Sequence, residues 1–210
     1  MSTKRTYTLG RRAETAADTR QRLVEATQLL HWERGISGTS LRDIAERAGV
    51  SVGTAYHHFP AYLDAVRACA AHTARTLPLP SEEVFADVEG VEERVRRFVR
   101  ALCGWYEANP WLERIRAERS LYPPVEESMA GLERAFEQLA RAAARCTADE
   151  ARTIAALVDA AVYASLVRGG MAAERVAGRM SEVVLTWLLS PSRRRSGRAA
   201  RNPEQRRRHS

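Results

Sequence analysis

The chain has 210 residues, a formal net charge of +7 and 45% hydrophobic residues, enough for one large or two small helical domains. No apolar run approaches a membrane span and the polar N-terminus has no apolar signal core, so a soluble, cytoplasmic protein without a membrane partner is expected. Cys69, Cys103 and Cys146 are far apart and odd in number, and their helix-like settings suit buried small hydrophobes better than disulfides or metal ligands.

Charge is unevenly divided. Residues 1–60 carry 9 basic and 6 acidic side chains, residues 61–192 carry 16 and 19, and residues 193–210 carry 8 and 1. The opening segment, 1–14, is polar and basic (Lys4, Arg5, Arg11, Arg12) and reads as a flexible arm able to reach a groove or phosphate. A helix begins near Thr15 to Asp18, with Leu23, Ala26, Thr27 and Leu30 as its inner stripe.

The most informative stretch is Thr39 to Phe59. Leu41, Ile44, Ala45 and Ala48 fall at i, i+3, i+4 and i+7 and form one apolar face. Ser40 followed by Asp43 reads as a capping-box-like start. Gly49 can take the left-handed conformation that ends a helix sharply. Ser51 can then cap a second short helix, about Val52 to His58. On it Val52, Ala55 and Phe59 can face a core, which leaves Gly53, Thr54, Tyr56, His57 and His58 outward. Helix, tight turn, helix is an architecture that places one helix in the major groove of DNA. Small and hydrogen-bonding residues suit that position, although a solvent-exposed helix with chance polar residues would read the same by period alone. His57 and His58 diverge around the helix and are poor joint metal ligands.

A fourth helix covers about Ala61 to Leu77 and ends at Pro78 and Pro80. Further helices are expected at about Val91–Ala108, Pro110–Leu121, Val125–Cys146, Asp149–Arg168 and Ala172–Leu189, punctuated by Asn109-Pro110, Tyr122-Pro123-Pro124, Thr147 and Gly169-Gly170. Nothing reads as a strand hairpin, and there is no internal repeat. The Arg-rich tail, 191–210, has no hydrophobic residue except alanine beyond Pro191 and reads as disordered. It is either an arm that raises DNA affinity without reading sequence or a solvated appendage.

Residues Thr19 to Phe59 resemble the DNA-binding domain of the TetR family of bacterial transcription regulators. The resemblance rests on Arg22-Leu23-Val24-Glu25-Ala26, Glu33-Arg34-Gly35, Thr39-Ser40, Ile44-Ala45, Ala48-Gly49-Val50-Ser51 and Gly53-Thr54-Ala55-Tyr56-His57-His58-Phe59. Two departures stand out. His31-Trp32 follows Leu30 where the family usually has a Leu-Phe pair. Ala61-Tyr62-Leu63 replaces a pair whose lysine contacts a phosphate.

The resemblance implies an all-α chain: an N-terminal three-helix DNA-binding domain with a helix-turn-helix (15–60), then a C-terminal helical ligand-binding and dimerisation domain (61–190). Residues assigned to DNA are Thr39, Ser40, Ser51, Gly53, Thr54, Tyr56, His57, His58 and Tyr62. The large side chains available to line a ligand cavity are Trp105, Tyr106, Trp111, Tyr122, Met129, Phe136 and Tyr163; any one of them alone reads as plain core, while as a set some are expected to line the cavity. The last two helices, joined at Gly169-Gly170, form a helical hairpin that would pair with its symmetry mate. Leu157, Val158, Ala161, Val162, Met180, Val184 and Trp187 are its expected interface, with intramolecular core as the other reading.

The expected function is a homodimeric, ligand-responsive transcriptional regulator, in its commonest form a repressor on a palindromic operator in double-stranded DNA. A small apolar or amphipathic effector would release it. A transcriptional activator, or an architectural DNA-binding protein using its basic tail, are the alternatives. No catalytic constellation, cofactor site or metal set is recognisable, so no enzyme is expected.

Overall fold

The computed structural model describes residues 3–190, with side chains from Thr15 onward. The side chains of the expected arm at 1–14 and the whole tail at 191–210 lie outside the described residues. Among the described residues the structure is helical, with no strand, and no helix is long and apolar enough to cross a membrane.

The helices are α1 (Thr3–Arg34), α2 (Leu41–Arg47), α3 (Val52–His58), α4 (Tyr62–Thr76), α5 (Val91–Ala108), α6 (Leu112–Ala117), α7 (Pro123–Ala144), α8 (Ala148–Leu157), α9 (Ala160–Arg168) and α10 (Ala173–Leu189). Short 3-10 turns occupy Glu82–Phe85 and Arg119–Leu121. The chain divides into two compact units, one holding residues up to Pro78 together with Asn109–Arg134, the other Leu79–Ala108 with the residues from Ala135 onward. The first unit thus takes in α4, α6 and the start of α7 as well as the helix-turn-helix.

In the first unit, Leu23, Val24, Ala26 and Leu30 of α1 pack with Leu41, Ile44 and Ala45 of α2, Ala55 of α3, the Phe59 that follows it, and Ala65 of α4. These are the positions that helical periodicity turns to one side. Surface pairs tie the elements further: Arg47 makes a bidentate bridge to Glu33 at 2.9 and 2.7 Å, and Arg34 meets Asp43 at 3.1 Å. Both carboxyls are held below the ordinary range, Glu33 by its hydrogen bond to Arg47 and Asp43 by its hydrogen bond to Ser40.

In the second unit, α5 is the central element. Val95, Phe98, Val99, Leu102 and Cys103 line its buried face at helical spacing, against Val176, Met180, Val184 and Leu188 of α10. Arg94 is buried here with no carboxylate opposite. Its guanidinium donates to the carbonyls of Phe85 (3.0 Å), Val88 (3.0 Å), Ala142 (2.9 Å) and Ala143 (3.4 Å), and lies 4.5 Å from the Phe85 ring centroid. Ala142 and Ala143 belong to the last turn of α7, whose carbonyls have no intrahelical donor and where the helix dipole favours a cation. Arg94 therefore caps α7 and fastens the 3-10 turn in one step.

The helix expected over Asp149–Arg168 is broken. Asp159 accepts the Ala161 N–H at 2.8 Å and starts α9 afresh. The expected pairing face changes with it. Val158, Met180 and Val184 are buried in the core of their own unit, and Leu157 and Trp187 are half-buried. A side chain already enclosed offers nothing to a partner, so the assignments of Val158, Met180 and Val184 are corrected. The apolar side chains left outward on α9 and α10 are Ala161, Val162, Val167, Val183 and Leu189.

Candidate nucleic-acid interface and cavity

The second helix of the helix-turn-helix is short, and its geometry is fixed from both ends. Ser40 and Asp43 form a reciprocal capping box that starts α2. Gly49 has φ +66°, and the chain turns there with Val50 N–H donating to the Ala45 carbonyl at 3.0 Å. Ser51 then caps α3: its Oγ accepts the Thr54 N–H at 3.0 Å. Arg22 donates from α1 to the Ala48 carbonyl at 3.3 Å, satisfying the end of α2. Ala55 and Phe59 anchor α3 in the core, while Val52, expected inward, is exposed.

What α3 leaves outward is Gly53, Tyr56 and His57, with Thr54 and His58 half-buried beside them. Tyr56 is 53% exposed, unusual for a large ring held on a rigid, capped helix. Burial, helped by the neighbouring His57 and Arg20, holds His58 below the ordinary imidazole value, so it offers neutral hydrogen-bonding nitrogens. Gly53 is informative in another way. A Cβ built on it would meet only Ser51 Oγ, at 3.8 Å, and its φ is not in the left-handed region. Glycine costs a helix about 1 kcal/mol relative to alanine, and nothing within this chain requires it at Gly53. Arg42, exposed on α2, was not singled out from sequence.

Two of the residues assigned to DNA are engaged elsewhere. Thr39 is buried and donates to the Gly35 carbonyl at 2.9 Å. Tyr62 turns back onto the end of α1, where its hydroxyl donates to the Ile36 carbonyl at 2.6 Å and lies 2.9 Å from His31 Nε2. The reason is local: the Ile36 carbonyl, which also accepts the Thr39 N–H at 3.1 Å, lies just past α1 within reach of a tyrosine at the start of α4. Ser40 and Ser51 are exposed but already hold caps.

The aromatic residues considered for a ligand separate into two groups. Trp105, Tyr106, Phe136 and Tyr163 form a cluster in the second unit, with ring centroids 5.2–6.1 Å apart in mostly edge-to-face contacts; all four are buried. Trp111 and Met129 instead line a small cavity of about 40 Å³ within the first unit. Tyr122 is not on its wall; its hydroxyl lies 3.2 Å from Ser37 Oγ.

Four helices form that cavity. His31 and Trp32 come from the end of α1, Val66, Cys69, Ala70 and Thr73 from α4, Ile115 from α6, and Val125 and Ser128 from α7. Trp32 stacks on Trp111 at 4.8 Å with 9° between the rings. Burial lowers the His31 pKa to about 4 against the opposing pull of Glu118, and pushes the Cys69 thiol up to about 12. The walls are uncharged at neutral pH. Neither His31 nor Cys69 stands out in sequence as a cavity residue, because each sits on the apolar stripe of its helix.

Comparison with known proteins agrees with this geometry. Residues 23–61 match the family described as bacterial regulatory proteins, tetR family. The HTH-type transcriptional regulator TtgR of Pseudomonas putida is 39% identical over 72 residues, covering 31% of this chain. The match spans only about a third of that relative, 34% of its length. Among solved structures, multidrug binding protein EbrR complexed with proflavin has 21% identity and a TM-score of 0.60, covering 81% of this chain and 99% of that one. A Saccharomonospora viridis protein in complex with choline has 18% identity and a TM-score of 0.60, covering 80% and 96%. The sequence match to the tetR family thus lies in the helix-turn-helix, residues 23–61, and the solved structures share the helical fold with this chain.

Proposed function

We propose that this protein is a transcriptional regulator that binds double-stranded operator DNA through α3 as a homodimer and is released from it by a small molecule, acting as a repressor and not as an enzyme. Gly53 carries the DNA part. A helix that accepts the cost of a glycine on its outer face, flanked by Thr54, Tyr56 and His57, is shaped for close approach by something outside the chain. Base edges and phosphates in a major groove are such a partner.

The dimer part is supported by Val162, Val183 and Leu189, which are 40%, 53% and 51% exposed on the last two helices. A twofold dimer would present two copies of α3 to half-sites about one DNA turn, roughly 34 Å, apart. Solved relatives in complex with proflavin and choline support a helical body that holds small molecules. Any effector that weakens DNA binding must itself be bound more weakly by the DNA-bound form, by the same factor.

Selection of bound duplexes from a random library, followed by footprinting, tests this reading. Discrete protection of an inverted repeat is expected. Uniform coverage would instead favour an architectural binder working through the Arg-rich tail, and transcription stimulated from the selected site would favour an activator. Val183→Glu should give folded monomers in sedimentation that bind half-sites poorly; an unchanged dimer would move the interface off this face.

A further inference from the structure

Several arginines of the first unit are spent inside the protein. Arg22 donates to the Ala48 carbonyl, Arg34 meets Asp43, Arg47 meets Glu33 and Arg67 meets Asp64. Arg20, two residues before Arg22 on α1, is different. It is exposed, and no carboxylate or hydrogen-bond acceptor among the described residues takes up its donors. Its guanidinium nevertheless has a defined place, with the central carbon 5.0 Å from the centre of the Phe59 ring. Phe59 is buried and directly follows α3. Arg20 is also close enough to His58 for its charge to help hold that imidazole below its ordinary value. The His58 ring in turn lies 5.5 Å from that of the outward His57.

An arginine over a ring can serve merely to shield it, and the C-terminal end of a helix favours a cation. Neither use consumes the N–H donors. A guanidinium carries five of them in a planar fork that matches a phosphate. Arg22 spends such donors on the end of α2, whereas Arg20 makes no such bond at the end of α3. The major groove of DNA is about 12 Å wide, close to the roughly 10–12 Å diameter of a helix with its side chains. A cation at the edge of a helix lying in that groove meets the phosphate strand before it meets a base.

We propose that Arg20 is a phosphate contact: placed by the Phe59 ring at the end of α3, it takes one backbone phosphate on the wall of the groove that α3 enters. The proposal rests on the reading of α3 as the DNA-contacting helix and adds a residue of α1 to it. A guanidinium already seated over a ring has less freedom to lose when the phosphate arrives. The contact fixes how α3 is set in the groove. Because a phosphate is the same at every base pair, it raises affinity for all duplexes alike. The choice of sequence is left to Tyr56, His57 and their neighbours on α3.

The test is the salt dependence of DNA binding by the full chain, followed by anisotropy on two probes: the duplex selected from the random library and a scrambled duplex of equal length. Each phosphate contact contributes about 0.9 to the slope of log affinity against log salt. Arg20→Gln should lose that amount per subunit, so a roughly fourfold rise in salt should cost the wild type about three- to fourfold more affinity per subunit than it costs the variant. The effect should be equal on both duplexes. Arg20→Lys, which keeps the charge without the fork, should restore the slope but only part of the affinity. Arg75→Gln removes the same charge from the exposed last turn of α4 and should leave the slope unchanged. Replacing phosphates of the selected duplex one at a time by uncharged methylphosphonate should find one position per half-site that weakens the wild type and leaves Arg20→Gln indifferent. An unchanged slope in Arg20→Gln overturns the proposal, even if urea shows that Arg20 stabilises the fold by shielding Phe59. An equal loss in Arg75→Gln, a slope that lysine fails to restore, or an effect confined to the selected duplex overturns it as well. A wild type that binds neither duplex removes the reading of α3 itself, whereas tight binding with Arg20 silent removes only this contact.

Discussion

The Glu118 carboxylate accepts the Ser37 backbone N–H at 2.6 Å, joining α6 to the loop after α1 across 81 residues of chain. Arg114, one helical turn earlier, donates to the carbonyls of Trp32 and Glu33 at the end of α1. These carbonyls have no helical donor of their own, so α6 caps α1 from outside. Within the first unit α6 thus grips the helix end that carries His31 and Trp32.

Gly35 makes that grip possible. Its φ is +87°, and a Cβ added there would collide with the Glu118 carboxylate. Gly35→Ala thus combines left-handed backbone strain of about 1 kcal/mol with displacement of the Glu118 acceptor from Ser37. We expect a loss of about 2 kcal/mol in urea denaturation, whereas Glu118→Ala alone should cost less, because the exposed Ser37 N–H can turn to water. Equal stability of Gly35→Ala and wild type would remove Glu118 from the account.

Gly53→Ala should have the opposite sign. The added Cβ meets only Ser51 Oγ at 3.8 Å, and alanine is the better helix former by about 1 kcal/mol. The variant should be slightly more stable and bind its selected DNA site less well. Tyr56→Ala should leave stability unchanged and weaken DNA binding by roughly 1–3 kcal/mol if the ring makes a base contact. A Gly53→Ala protein that binds as tightly as wild type would mean that α3 does not approach DNA at this residue.

Helical periodicity made much of this legible. The bounds Val52–His58 and Val91–Ala108 follow from apolar spacing and capping residues alone, and the structure has the same bounds. Asp159 did not announce its break, because Leu157, Val158, Ala161 and Val162 continue an apolar pattern on both sides of it. Periodicity also says that a face is covered without saying by what. Val158, Met180 and Val184 were consequently assigned to a partner and are covered by their own unit. The aromatic set shows the same limit: nothing in the spacing separates Trp111 and Met129, on the cavity, from Trp105, Tyr106, Phe136 and Tyr163, which pack on each other. Polar interior groups were the least legible. The roles of Arg94, His31 and Tyr62 depend on carbonyls distant in sequence.

Arg94→Met tests the buried cap. Methionine fills similar space but supplies no donor, leaving the Phe85, Val88, Ala142 and Ala143 carbonyls without the guanidinium. Buried acceptors left unsatisfied cost about 1–3 kcal/mol each where water cannot reach them, against which removal of a buried charge is a gain. We expect a net loss of about 3 kcal/mol. Arg94→Lys should recover only part of it, because an ammonium cannot span four carbonyls as a planar fork does. A stable Arg94→Met protein would show that the 3-10 turn and the end of α7 do not need this side chain.

The His31–Tyr62 pair gives stability a pH dependence of known sign. Burial disfavours the imidazolium, so the folded-state pKa falls from 6.5 to about 4. As pH drops below 6.5 the unfolded chain takes up a proton that the folded one refuses. Stability is therefore complete above that value and is lost progressively down to about pH 4, by about 3 kcal/mol across the window. The carboxyls of Glu33, Asp43 and Glu126, also held low by their partners, weaken the fold in acid as well. They are present equally in His31→Phe. The difference in unfolding free energy between wild type and that variant isolates the histidine, and it should shift in favour of the variant by about 3 kcal/mol between pH 7 and pH 4. Urea titrations at half-unit pH steps measure it. A difference that stays constant would mean that the ring is protonated or solvated in the folded protein, and that burial does not hold it neutral.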